Sequence, residues 1–128
     1  MSVSTCRILV ADDNVDAGDA LAMLLELQGH TVQVARDGLS AVKAAEALRP
    51  DIALLDIGMP GMDGYDTARA IRAEAWGKDV HLVALTGYSQ PADRERANQA
   101  GIDVFIVKPV EMTTLEKVCA DAMAKKAL

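Results

Sequence analysis

Hydrophobic positions in this chain gather into short unbroken runs separated by stretches of helical period. Ile8-Leu9-Val10-Ala11, Ile52-Ala53-Leu54-Leu55, Leu82-Val83-Ala84-Leu85 and Val104-Phe105-Ile106-Val107 are continuous apolar segments. Runs of that length, bounded by polar residues, mark parallel strands covered on both faces. Thr31-Val32-Gln33-Val34-Ala35 instead alternates polar and apolar, which predicts a half-exposed edge strand. Residues 15–28 place Ala17, Leu21, Leu24, Leu25 and Gln28 on one face of a first helix, stopped by Gly29. Asp37-Gly38 turns the chain into an Ala-rich helix over residues 39–48, ended by Pro50. A third helix is predicted over 65–75. A fourth opens at Pro91 and runs to Gln99, and it is unusually polar. A fifth, over about 113–125, turns Leu115, Val118, Cys119 and Ala122 inward.

Strand-like and helix-like segments thus alternate five times, an α/β pattern of the (βα)₅ kind. Right-handed crossovers and one polar-alternating edge fit a doubly wound parallel sheet. The strand order 2-1-3-4-5 is taken from flavodoxin-like folds of that class, because alternation alone does not single it out.

The length of 128 residues predicts one domain, spanning 1–128 with a core at about 7–123, large enough to need no disulfide staples. Only one Trp, two Tyr and one Phe are present, which suits helices packed closely on a sheet better than a base-stacking surface. A net charge of −6 argues against nucleic acid or anionic membrane as a partner of this chain alone. Cys6 and Cys119 have no CxxC spacing and read as two buried thiols. His30 and His81 read as lone histidines in structural or surface roles, Trp76 as a packing lid, and the six Met residues mostly as core filler, with Met59 and Met62 by the site. The absence of a hydrophobic signal core in residues 1–5, and of any apolar stretch near the ~18 residues of a membrane span, leads to a cytoplasmic expectation.

Each unbroken run ends in a polar residue of a different kind. The first is followed by Asp12-Asp13, the second by Asp56, the third by Thr86 and the fourth by Lys108-Pro109. In an open parallel sheet the ligand crevice lies outside the carboxyl ends of the strands. If these four strands are neighbours, carboxylates, a hydroxyl and an ammonium meet there. Capping of the first helix by Asp13 or Asn14 explains one acidic residue. It does not explain two adjacent carboxylates, which repel unless a cation sits between them. Hard oxygen donors suit Mg²⁺, and cation, ammonium and hydroxyl together suit a phosphoryl group. Asp56 then has one oxygen for the metal and one free to attack phosphorus. Pro109 is a candidate for a cis peptide, which would aim Lys108 back across the strand ends.

The set Asp12-Asp13, Asp56 with Met59-Pro60-Gly61-Met62-Asp63-Gly64, Thr86-Gly87 and Lys108-Pro109 resembles the receiver domain of two-component response regulators, from Arg7 to about Met123. The stretch from Leu85 to Gln90, with Val107 to Val110, looks most like receivers attached to hybrid sensor kinases. The resemblance implies a phosphoacceptor at Asp56, with Asp13, Asp56 and the Gly58 carbonyl as direct Mg²⁺ ligands and Asp12 acting through water. It implies phosphoryl contacts from Thr86 and Lys108, a switch aromatic at Phe105 and an open site beside Gly87. Gly58 and Tyr88 fall where family side chains orient or block the hydrolytic water, and this pair leads to an expectation of slow self-dephosphorylation. The implied donors are phosphohistidines of sensor histidine kinases or phosphotransfer domains, and a phosphorylation-dependent dimer is a further expectation. Such a module is not an enzyme beyond promoting its own phosphorylation and dephosphorylation.

Three other classes fit less well. An aspartyl phosphatase of the haloacid-dehalogenase type uses an Asp-x-Asp nucleophile motif after its first strand, whereas here adjacent Asp12-Asp13 is followed by Asn14. A nucleotide-binding module needs a Gly-rich phosphate loop where this chain has Ala11-Asp12-Asp13-Asn14. A degenerate scaffold receiver would lack the complete acidic, Thr and Lys set.

Overall fold

The computed structural model describes residues 5–87 and 90–126; Tyr88, expected above to govern water access, lies outside the described residues. The elements are β1 (Arg7–Ala11), α1 (Val15–Leu27), β2 (Thr31–Ala35), α2 (Gly38–Leu48), β3 (Ile52–Asp56), α3 (Gly64–Ala73), β4 (His81–Thr86), α4 (Pro91–Gln99), β5 (Val104–Val107) and α5 (Met112–Lys126). A single 3₁₀ turn at Ala75–Gly77 follows α3. The strands are all parallel and lie in the order β2-β1-β3-β4-β5.

Side-chain alternation along the central strands divides the core in two. Leu9, Ala11, Ala53, Leu55, Leu82 and Ala84 join residues of α2, α3 and α4 on one face. Ile8, Val10, Ile52, Leu54, Val83 and Leu85 join α1 and α5 on the other. Both faces are covered, so the central strands need apolar residues at every position, and this is why they read as unbroken runs. The inward set expected for α5, Leu115, Val118, Cys119 and Ala122, is buried as a group.

Several expectations need correction. The buried face of α1 is Gly18, Ala22 and Leu25, with Leu21 half-buried, while Ala17, Leu24 and Gln28 point outward. The inward face is rotated because Gly18 and Ala22 let the helix approach the sheet closely; a Cβ on Gly18 would lie 3.3 Å from Val34. The run in β5 is half-buried to exposed, since β5 is the far edge of the sheet. Arg49, in the left-handed region at φ 53°, caps α2 one residue before Pro50. Among the described residues Met59 is buried and Met112 and Met123 pack against the core, as expected, while Met23 on α1 is largely exposed. As expected, α1 stops at a glycine, with Gly29 at φ 94°. Trp76 is half-buried against the core and carries the Arg49 guanidinium over its ring at 5.3 Å.

Candidate functional site

Strand register brings the polar residues together. Ala11 pairs with Leu55, so Asp12 and Asp56 leave neighbouring strands at one level. Asp56 pairs with Leu85 and Thr86 with Val107, which sets Thr86 and Lys108 one and two steps further along the next strands. Asp12, Asp56 and Lys108 continue the alternation of Val10, Leu54 and Ile106, all on the α1/α5 side of the sheet. Phe105 continues the opposite set and packs toward α3 and α4.

The resulting geometry is acidic with one central cation. Carboxylate oxygens of Asp12, Asp13 and Asp56 lie within 4.8 Å of one another. Asp12 is buried, Asp56 is half-buried and Asp13 is exposed. The Lys108 ammonium is 3.6 Å from Asp56 Oδ1 and 3.8 Å from Asp12 Oδ2. The Lys108–Pro109 bond is cis. Asn14, rather than Asp13, caps α1, its side chain accepting from Ala17 N–H at 3.0 Å. Asp12 accepts from Asn14 N–H at 2.9 Å, which orients one carboxylate oxygen and leaves the other toward the crevice. Gly58 N–H donates to Asp56 Oδ1 at 3.2 Å, so the loop after β3 folds back onto the Asp56 carboxylate.

Beside Asp56 opens a cleft of about 270 Å³ lined by Asp56, Gly58, Tyr65, Thr86, Gly87 and Asp93. A Cβ on Gly87 would meet nothing within 4 Å, and one on Gly58 would stand 3.8 Å from Asp56 Oδ1. Phe105 lies under the Arg94 guanidinium of α4 at 5.1 Å. Sequence reading missed the cleft's far wall. Tyr65 is buried there, donates to the Asp93 carbonyl at 3.3 Å, and lies under Arg96 at 4.4 Å. Burial, reinforced by Asp93, raises the Tyr65 phenol above its ordinary pKa. Its only sequence signal was an aromatic at the start of a helix.

One of the two histidines differs from expectation. His30 is not alone: its Nδ1 accepts from Cys6 N–H at 3.0 Å and its Nε2 faces the Cys119 sulfur at 3.7 Å. Residue 6 precedes β1, residue 30 lies between α1 and β2, and residue 119 is in the middle of α5, so no local spacing announces them. His81 is buried at the start of β4, and burial lowers its pKa below the usual value.

The three carboxylates offer hard oxygen donors, which fit Mg²⁺ chemically. A doubly wound sheet whose strand ends hold an acidic triad, a lysine and a threonine hydroxyl defines a phosphoryl-accepting class of domain. Comparison with known proteins narrows it: the response regulator receiver domain profile matches residues 8–120, and the chain belongs to that family. It is 38% identical over 103 residues to the DNA-binding response regulator MtrA of Mycobacterium tuberculosis, covering 80% of this chain and 44% of that protein. It is 39% identical over 113 residues to the transcriptional regulatory protein PrrA of Mycobacterium leprae, covering 88% and 48%. The chain therefore spans less than half the length of these relatives. Among solved structures, the chemotaxis protein CheY4 of Vibrio cholerae superposes with a TM-score of 0.87 at 26% identity, covering 92% of this chain and 98% of that one. The receiver domain of sensor histidine kinase PA1611 of Pseudomonas aeruginosa, described with magnesium in its active-site cleft, superposes at 0.85 with 32% identity, covering 94% and 98%. The chain is a receiver domain of two-component response regulators, and the phosphatase alternative is not favoured.

Proposed function

We propose that residues 1–128 form one receiver module that accepts a phosphoryl group on Asp56 from a phosphohistidine donor. The observation that carries this reading is the crowding of three carboxylates within 4.8 Å beside a lysine 3.6 Å from Asp56. An Asp56 oxygen attacks phosphorus, the phosphorus–nitrogen bond of the donor histidine breaks, and the donor imidazole keeps the bond electrons and takes a proton. The product is an acyl phosphate on Asp56. Asp13, Asp56 and the Gly58 carbonyl would hold Mg²⁺, with Asp12 acting through water. When bound, the ion offsets the charge of carboxylates and phosphoryl oxygens together. Lys108 and the Thr86 hydroxyl hold the phosphoryl oxygens, and Gly87 leaves room beside them.

The donor is a sensor histidine kinase or a histidine phosphotransfer domain, and the setting is cytoplasmic. No helix of the described residues is long and apolar enough to cross a membrane. The DNA binding named for MtrA belongs to that longer protein, and the charge of −6 supports a module that does not itself bind nucleic acid. Catalysis is confined to the module's own phosphorylation and slow dephosphorylation.

The test is labelling by a small acyl phosphate donor in Mg²⁺. Wild-type protein should acquire one acid-labile phosphoryl group. Asp56→Asn should acquire none, and Asp13→Asn should lose labelling while keeping its circular dichroism. Normal labelling of Asp56→Asn would mean another acceptor, and normal labelling of Asp13→Asn would remove the metal assignment.

A further inference from the structure

At the pole opposite the acidic crevice, two thiols and an imidazole meet. Cys6 immediately precedes β1, Cys119 lies in α5, and His30 stands between α1 and β2. One ligand-type atom from each lies within 4.8 Å of the others. Both thiols are buried. Cys6 is six residues of extended chain from Asp12, about 20 Å away, so the cluster is separate from the phosphoryl site. We propose that Cys6 and Cys119 form a reversible intramolecular disulfide when a hydroperoxide reaches them, with His30 as the positioning residue that serves Cys119.

The alternative chemistry for two thiols and an imidazole is a soft metal such as zinc. The hydrogen bonds decide between them. Cys6 N–H is a donor only, so His30 Nδ1 must be the accepting nitrogen. The proton of the neutral ring is then on Nε2, the nitrogen that faces Cys119 Sγ at 3.7 Å. A protonated nitrogen donates to sulfur and has no lone pair for a metal. Burial lowers the His30 pKa, which keeps the ring in this neutral form. Burial also raises the Cys119 pKa, offset in part by a hydrogen bond from Cys6. Cys119 thus has two polar partners against that burial, His30 Nε2–H and Cys6, and the second is the thiol needed for a disulfide.

The step balances with the peroxide as the two-electron oxidant. Cys119 thiolate attacks one peroxide oxygen, the oxygen–oxygen bond breaks, and hydroxide leaves and takes a proton to become water. The Cys6 sulfur then attacks the resulting sulfenic acid, forming the sulfur–sulfur bond and expelling a second water. Two thiols and one peroxide become one disulfide and two waters. The bond would tie α5 to the start of β1.

The experiment treats the purified chain with graded hydrogen peroxide and maps it by mass spectrometry without reduction. The expected product is a monomer lighter by two hydrogens, a peptide pair joining Cys6 to Cys119, a raised unfolding temperature, and full reversal by dithiothreitol. His30→Asn keeps an acceptor for Cys6 N–H but loses the donor to Cys119. Losing that donor disfavours the thiolate more than it raises intrinsic nucleophilicity, so that variant should oxidise roughly threefold more slowly. His30→Gln, whose amide reaches the Nε2 position, should recover most of the rate. The proposal is overturned by independent sulfinic acids at the two cysteines or by disulfides formed only between molecules. Stoichiometric zinc retained by the reduced protein through dialysis would also overturn it. Wild-type mapping decides the disulfide even if a histidine variant fails to fold.

Discussion

Lys108 is the cation on which the acidic crevice depends, with carboxylates of Asp56 and Asp12 at 3.6 and 3.8 Å. Its side chain is about a third exposed, so solvent screens much of the pair energy. Lys108→Ala leaves the carboxylates facing one another and makes the crevice more negative. We expect its Mg²⁺ affinity to rise about fivefold, roughly 1 kcal/mol, while labelling by the acyl phosphate falls. Calorimetric Mg²⁺ titration of the two proteins checks this; equal affinities would show that the lysine does not sense the metal position. His81 gives a second residue-scale prediction. Neither of its ring nitrogens has a hydrogen-bond partner among the described residues, and Asp103 stands off at 3.8 Å. Burial holds its pKa below 6.5, so near that pH the unfolded chain binds more protons than the folded one. Stability contributed by the neutral ring is complete above 6.5 and is lost as pH falls through the lower folded value. His81→Leu should gain about 1 kcal/mol at neutral pH by removing an unpaired buried polar group. It should also flatten the loss of stability below pH 6.5, read from urea unfolding across pH.

At the scale of elements, the helices hold the sheet through a few residues placed at strand starts. Arg72, at the end of α3, donates to the carbonyls of Gly77, Val80 and Gly101 at 2.8, 2.6 and 2.9 Å and pairs with Asp103 at 2.7 Å. Asp103 in turn accepts from Leu82 N–H at 2.9 Å, and Asp51 accepts from Arg7 N–H at 2.8 Å. Each aspartate precedes one strand and satisfies a donor near the start of a neighbouring one, Arg7 in β1 and Leu82 in β4. Arg72→Ala strands several buried acceptors and should cost about 3 kcal/mol. Arg72→Lys should recover less than half, because an ammonium cannot reproduce the planar fork. Shifts in the urea midpoint at unchanged slope would measure both. Gly77 belongs to the same corner: any Cβ there would strike the Ile71 carbonyl.

For the whole molecule, β4, β5 and α4 connect the acidic crevice with the surface expected to report its phosphorylation. Thr86 ends β4, Phe105 lies in β5 under Arg94, and α4 buries only Ala97. So thin an apolar footing makes α4 the least anchored helix and a suitable partner surface. We expect phosphorylation to draw Thr86 toward the phosphoryl group, turn Phe105 inward and shift the balance of two existing states of α4, β5 and α5. Amide shifts with a phosphoryl mimic should spread along those elements; changes confined to the strand ends would count against it. Lifetime belongs to this scale too, because water must reach phosphorus in line. Gly58 has no side chain to hold that water, and a Cβ there has room. Gly58→Asn with Tyr88→Glu should hasten decay of the labelled protein roughly tenfold, about 1.4 kcal/mol of barrier. An unchanged decay would remove these positions from control of water access.

The sequence by itself determined the alternation of strands and helices, the edge character of β2, and the residues of the crevice. Each of these is written in local periodicity or in the residue that ends an apolar run. Asp12, Asp13, Asp56, Thr86 and Lys108 were legible because parallel strands must all deliver their carboxyl ends to one side. Tertiary structure alone decided which face of α1 is buried, because close approach through Gly18 and Ala22 outweighs the larger Leu24. It alone decided that Tyr65 walls the cleft, that Arg72 ties four segments, and that Cys6, His30 and Cys119 meet. Those contacts join residues dozens of positions apart. Their partners are fixed by register and helix docking, which no single stretch of sequence contains.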